Sequence, residues 1–112
     1  RFPDIPIFTT GSTSAEIAKY MANTLLATKV IFANEIYDLC EHFGAQYSDV
    51  ADMVRADKRI GNSHLDVTED RGFGGACLPK DVQALVALYK RKGIDCNLLD
   101  TVWEKNKKLR NI

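Results

Sequence analysis

At 112 residues the chain is the size of one domain and long enough to bury a core without covalent staples. Fifteen basic and fifteen acidic side chains cancel, which argues against nucleic acid or an anionic membrane as partner. The three cysteines show no Cys-x-x-Cys spacing and no apolar run reaches the roughly 20 residues that cross a bilayer, so a reduced, cytoplasmic protein with no metal site is expected.

Residues 1–12, with Phe2-Pro3-Asp4-Ile5-Pro6-Ile7-Phe8, read as a strand tail or linker, and a chain that opens on Arg1 reads as a piece of a longer protein. Thr13-Ser14-Ala15-Glu16 then has the form of a capping box, in which the Thr13 hydroxyl and the Glu16 carboxylate each satisfy an orphan amide. No glycine or proline intervenes until Gly44, which predicts a helix of about 30 residues, or about 45 Å at ~1.5 Å per residue.

Along that helix Ile17, Met21, Leu25, Phe32, Ile36, Leu39 and Phe43 keep helical spacing, while Ala18, Ala22, Leu26 and Ala33 form a second, small-residue face. Two apolar faces call for two neighbours, and so small a domain is expected to form a two-fold homodimer through this helix. Cys40 on the same helix reads as packing. Lys19, Asn23 and Asn34 share nearly one azimuth. This polar stripe reads either as a solvated edge or as hydrogen-bond donors beside a reactive group.

A shorter helix follows, capped by Ser48 and carrying Val50, Met53 and Val54. Periodicity is lost from Lys58 to Gly75, and loops of that length are usually functional or disordered. The loop ends in Gly72-Phe73-Gly74-Gly75-Ala76-Cys77-Leu78-Pro79-Lys80-Asp81, which places a cysteine between a glycine-rich turn and a helix start. The positive end of the helix and the neighbouring Lys80 favour thiolate over thiol, and Asp81 follows one turn later. The plainer reading, a small buried hydrophobe beside a dipole-complementing aspartate, stays open at this point. A third helix is predicted from about Pro79 to Lys92, stopped by Gly93, with Val82, Leu85, Val86 and Leu88 apolar. A fourth runs from about Asn97 to Arg110 with Leu98, Leu99, Val102 and Leu109, and its basic residues Lys105, Lys107, Lys108 and Arg110 suit a helix C-terminus. The fold class is all-α, a long helix with about three shorter ones.

Five separated segments, in order, resemble the central domain of the UDP-glucose/GDP-mannose dehydrogenase family: Thr13-Ser14-Ala15-Glu16, Lys19-Tyr20-Met21-Ala22-Asn23, Asn34-Glu35, Asp57-Lys58-Arg59-Ile60-Gly61 and Gly72 to Asp81. The resemblance implies a 6-phosphogluconate dehydrogenase C-terminal-like helical domain over 13–112 that carries the dimer core and part of an active site. It implies that Cys77 captures an aldehyde and forms a thioester, that Lys19 and Asn23 stabilise oxyanions, and that Asp81 positions water. It implies that Arg59 reaches substrate across a dimer interface and that Phe73, Gly74, Gly75 and Lys80 bind the nucleotide sugar. UDP-glucose is the expected substrate, with GDP-mannose the alternative.

Between Arg59 and Cys77 the chain is about two residues longer than the commoner pattern, so His64 and Leu65 match it only loosely. No GxGxxG follows a strand, so NAD is expected to be bound mainly by a domain outside these residues, and the piece alone to be inactive. Two other readings are a non-catalytic helical interaction module and a Cys-His hydrolase using His42 or His64. The hydrolase is the weaker, since neither histidine has an orienting group visible in sequence.

Overall fold

Four helices account for every regular element among residues 13–112, the residues that the computed structural model describes: α1 (Thr13–Phe43), α2 (Tyr47–Arg55), α3 (Cys77–Arg91) and α4 (Asn97–Arg110). The all-α expectation holds there, while the strand-tail reading of 1–12 lies outside the described residues. At about 1.5 Å per residue the 31 residues of α1 run nearly the whole 50 Å length of the molecule. Its helix starts at Thr13 itself, so the residue that would cap it also lies outside the described residues.

The core forms where α1, α3 and α4 meet. Ala27, Val30 and Ile31 of α1 pack with Val82 and Val86 of α3, Val102 of α4 and Phe73 from the loop before α3. The face of α1 that enters this core is not one of the two apolar faces legible in its sequence. Tyr20, Thr24, Ala27, Ile31 and Asn34 are buried, whereas Ile17, Met21, Leu25, Phe32, Leu39 and Phe43 are 52 to 74% exposed. At about 100° per residue the two sets centre roughly 110° apart around the axis, on adjacent faces of the helix. Of the small-residue face, Ala33 is buried but Ala18 and Ala22 are exposed.

Polar groups on the inward face are satisfied locally. The Thr24 hydroxyl donates to the Tyr20 carbonyl at 2.7 Å, and Asn34 Nδ2 donates to the Val30 carbonyl at 2.8 Å. The helix therefore tolerates burial of these side chains without leaving their donors unpaired.

Helix boundaries follow the turn chemistry, with one correction. Gln46, not Ser48, is the N-cap of α2; its carbonyl accepts from the amides of Asp49 at 3.1 Å and Val50 at 3.3 Å, so the helix starts before Ser48 can cap it. Gly93, at φ +70°, closes α3 as a Schellman turn: the Gly93 amide donates to the Lys90 carbonyl at 3.2 Å and the Ile94 amide to the Tyr89 carbonyl at 2.9 Å.

The segment between α2 and α3 is ordered by long-range ties rather than by periodicity. The Tyr47 hydroxyl donates to the carbonyl of buried Leu65 at 2.5 Å, Lys29 Nζ donates to the Ile60 carbonyl at 3.3 Å, and Arg55 pairs with both Asp52 and Asp66. Burial raises the Tyr47 hydroxyl above its usual titration range, because the phenolate would lose solvation there.

Candidate functional site

Cys77 is the first residue of α3, with Ala76 at the N-cap and no side-chain cap bond. Its thiol is free and the residue is exposed. The helix therefore offers its first amides in a region that a ligand can reach, with no carboxylate of its own in the first turn. One turn on, Asp81 accepts a hydrogen bond from Asn23 Nδ2 of α1, Oδ2 to Nδ2 at 2.5 Å, and both residues are half-buried. Lys19 stands one further turn back along the same side of α1, exposed to solvent. The polar stripe of α1 thus runs from exposed Lys19 through half-buried Asn23 to Asn34, which is fully enclosed.

Chemically, the pairing of Asn23 with Asp81 fixes a carboxylate at a helix crossing near a thiol. The amide spends one N–H on Asp81, leaving its second N–H and its carbonyl without a partner among the described residues. A carboxylate held in this way can orient water or accept a proton, and a lysine nearby can stabilise negative charge on an oxygen.

The turn that delivers Cys77 is held by side chains from both other core helices. Asn34 Oδ1 accepts from Arg71 Nε at 2.6 Å and from the Gly72 amide at 3.2 Å. Asn106 Oδ1, from α4, accepts from the Phe73 amide at 2.7 Å. Arg110 Nε donates to the Arg71 carbonyl at 2.8 Å. Arg71 is further anchored to Asp38 at 2.9 Å and stacks over the Tyr37 ring at 4.9 Å.

The approach is close enough to exclude side chains. Gly72 has φ +60°, and a Cβ there would overlap the Asn106 side chain; a Cβ on Gly74 would fall 2.5 Å from Arg110 Nη1. Asn34 and Asn106 are 0 and 1% exposed, and Asn106 Nδ2 has no hydrogen-bond partner among the described residues. Leaving such a donor unpaired costs on the order of 1–3 kcal/mol.

The other sequence-derived candidates divide into two groups. Gly74 and Gly75 line a cleft of about 530 Å³, with Pro79, Gln83, Trp103 and Arg110 on its walls. Phe73 is 3% exposed, its ring 6.2 Å from that of Trp103, so it contributes to the core. Lys80 is exposed beside the thiol. Arg59 lies in the segment that Lys29 ties to α1, and its exposed guanidinium folds back on Asp57 at 2.7 Å. That pairing holds the Asp57 carboxyl below its usual range. His64 sits at φ +63° in the α2–α3 segment, and His42 packs edge-on against Phe43 with ring centroids 4.9 Å apart.

Sequence reasoning missed Arg71, Asn106 and Arg110 as ligands of the turn. One signal was available: Asn106 occupies a core position of α4, one turn beyond Val102, where an apolar residue is expected unless the amide has a partner.

A family model described as the UDP-glucose/GDP-mannose dehydrogenase family, central domain, matches residues 13–108. The chain is 46% identical over 105 residues to UDP-glucose 6-dehydrogenase TuaD of Bacillus subtilis, covering 94% of this chain and 22% of that protein. It is 44% identical over 98 residues to a UDP-glucose 6-dehydrogenase of Rickettsia prowazekii, covering 88% of this chain and 22% of that one. In solved structures it resembles a UDP-glucose dehydrogenase of the archaeon Pyrobaculum islandicum, with a TM-score of 0.79 and 34% identity over 86% of this chain and 22% of that one. The chain thus spans roughly a fifth of the length of these relatives, and it belongs to the UDP-glucose/GDP-mannose dehydrogenase family as its central domain.

Proposed function

From that membership we propose that this chain is the helical centre of a cytoplasmic, NAD-dependent UDP-glucose 6-dehydrogenase and supplies the thiol half of its active site. The observation that carries the reading is the exposed Cys77 thiol at the start of α3, one turn from an aspartate that Asn23 of α1 holds in place. NAD, where bound, accepts the hydrides released as a primary alcohol becomes a carboxylate. Among the described residues there is no strand and hence no strand-borne glycine fingerprint, so residues 13–112 do not fit a dinucleotide site. The cofactor is assigned to chain outside them, and the segment alone is expected to be inactive.

Within that division of labour, Cys77 adds to the substrate's aldehyde carbon and keeps it from escaping between the two oxidations. Lys19, with the second N–H of Asn23, steadies the resulting oxyanion, and Asp81 orients the water that finally cleaves the thioester. Gly74 and Gly75 let the sugar approach the backbone, and Lys80 offers a cation to its negative groups. Arg59, whose guanidinium is exposed and pairs only with its neighbour Asp57 among the described residues, is assigned to the second copy's site in a homodimer built on α1.

Single-turnover counting of NADH in the full-length enzyme tests this. Cys77→Ser is expected to stop at the first oxidation, because a serine hydroxyl lacks the nucleophilicity of a thiolate. Two NADH per UDP-glucose at near wild-type rate in that variant would remove Cys77 from the reaction. GDP-mannose as the preferred substrate would move the chain to the other branch of its family.

A further inference from the structure

We propose that Asn106 is a positioning residue for Cys77, acting through the Gly72–Phe73 backbone rather than through any contact with substrate; the inference rests on the role proposed for that thiol. Asn106 is 1% exposed, in the core of α4, far along the chain from the turn it serves. Its Oδ1 takes the Phe73 amide at 2.7 Å, while its Nδ2 is left buried with no partner among the described residues. The amide cannot be turned over to relieve that, since Nδ2 would then face the Phe73 N–H donor. An apolar residue of similar shape would orphan only the Phe73 amide, so one orphan would be exchanged for another with little net change in stability. Asparagine is therefore kept for the placement of its acceptor, not for stability alone.

What that acceptor fixes is the route of the chain into α3. Gly72, at φ +60°, fits under Asn106 only because it has no Cβ, and Phe73 is pinned between Asn106 and Trp103. Asn34 holds the other side of the same turn through Arg71 Nε and the Gly72 amide. With residues 71–73 held from α1 and from α4, the glycines at 74 and 75 are left to carry the chain to the helix start. Release of the Phe73 amide frees the turn to fray back into α3, and Cys77 then loses its fixed place at the start of the helix.

Peptide-resolved iodoacetamide labelling of the full-length enzyme at neutral pH reads this directly, with buried Cys40 as an internal reporter of the fold. In Asn106→Ala the Cys77 rate is expected to fall by about fivefold while Cys40 stays protected. Asn106→Asp keeps an acceptor for the Phe73 amide at the cost of a buried carboxyl. It should melt at a lower temperature than wild type yet keep the Cys77 rate within about twofold, a separation that a purely structural role would not give. A Cys77 rate unchanged in Asn106→Ala, or lost equally in both variants, overturns the proposal. Should Asn106→Ala expose Cys40, Arg110→Met decides: it removes the donor to the Arg71 carbonyl, and an unchanged Cys77 rate there overturns the clamp. The labelling is independent of hydride transfer. A failed NADH assay with an intact labelling pattern would discard the proposed reaction and leave the clamp standing.

Discussion

The outer stripe of α1 and the turn before α3 invert the usual rule of burial in opposite senses. On α1, Met21, Leu25, Phe32 and Leu39 are 53 to 65% exposed, an apolar surface that the other described residues leave uncovered. At the turn, Asn34 and Asn106 are enclosed to within 1% of full burial, polar groups placed where a core residue would otherwise go. The first inversion suits a surface that a neighbour covers, because contiguous exposed apolar area carries a free-energy cost until it is covered. The second is a set of hydrogen bonds that fixes a backbone route, because buried amides are retained only where their partners are exact in direction. On the proposed function, deviation from the bland pattern corresponds to an assembly surface in one place and to scaffolding of the Cys77 turn in the other.

The comparison breaks first if the stripe has no neighbour. We expect Leu25→Asp with Phe32→Asp, two turns apart on that face, to raise the dimer dissociation constant by about 10²–10⁴-fold, since each large side chain withdrawn from an interface forfeits about 1.5–3 kcal/mol. Helical content should hardly change, because both side chains are already exposed in the monomer. Sedimentation velocity of wild type and variant at micromolar concentration measures it. A wild-type monomer there would mean that other parts of the protein cover the stripe.

At the turn, two glycines of similar backbone conformation separate strain from crowding. Gly72→Ala meets both a positive φ and the Asn106 side chain, and should cost about 3–4 kcal/mol in urea unfolding. Gly75→Ala has φ +85° but nothing within 4 Å of the added Cβ, and should cost about 1 kcal/mol. Equal losses would show that Asn106 yields easily and that the turn is not clamped. Asn34→Ala falls between them, at about 2–3 kcal/mol, because it strips the acceptor from both Arg71 Nε and the Gly72 amide.

How much of this was legible in sequence follows from the same contrast. The four helices were readable because Gly44 and Gly93 stop two of them and because a period of 3.6 survives in every one. The inward face of α1 was not. Hydropathy pointed to Met21, Leu25 and Phe32, and no local signal said that these stay exposed among the described residues while Thr24 and Asn34 turn inward. Asn23 and Asp81 were separately visible as candidates, but their contact joins residues 58 apart, which no local spacing encodes. Asn106 and Arg110 went unseen for the same reason: their partners are backbone atoms of the turn, and backbone atoms leave no mark in a sequence.

The smallest expected effect tests whether the segment between α2 and α3 is part of the rigid scaffold or merely draped over it. Tyr47 donates to the Leu65 carbonyl and packs edge-on against Tyr37, whose ring also carries Arg71, so the tie reaches the clamped turn through two ring contacts. Burial raises the folded-state pKa of Tyr47 above its ordinary value of 10.0. The unfolded chain therefore ionises first as pH increases. Stability from this hydroxyl is fully present below pH 10.0 and is lost as pH climbs from there through the folded pKa. Tyr47→Phe should lower stability near neutral pH by about 1 kcal/mol through the lost hydrogen bond, and should flatten the alkaline slope of the melting temperature. A variant with the neutral-pH loss but an unaltered alkaline slope would place the titration elsewhere. One with neither would show that Leu65 is held by its own burial, and that the segment reaches the scaffold only through Arg55, Lys29 and Arg71.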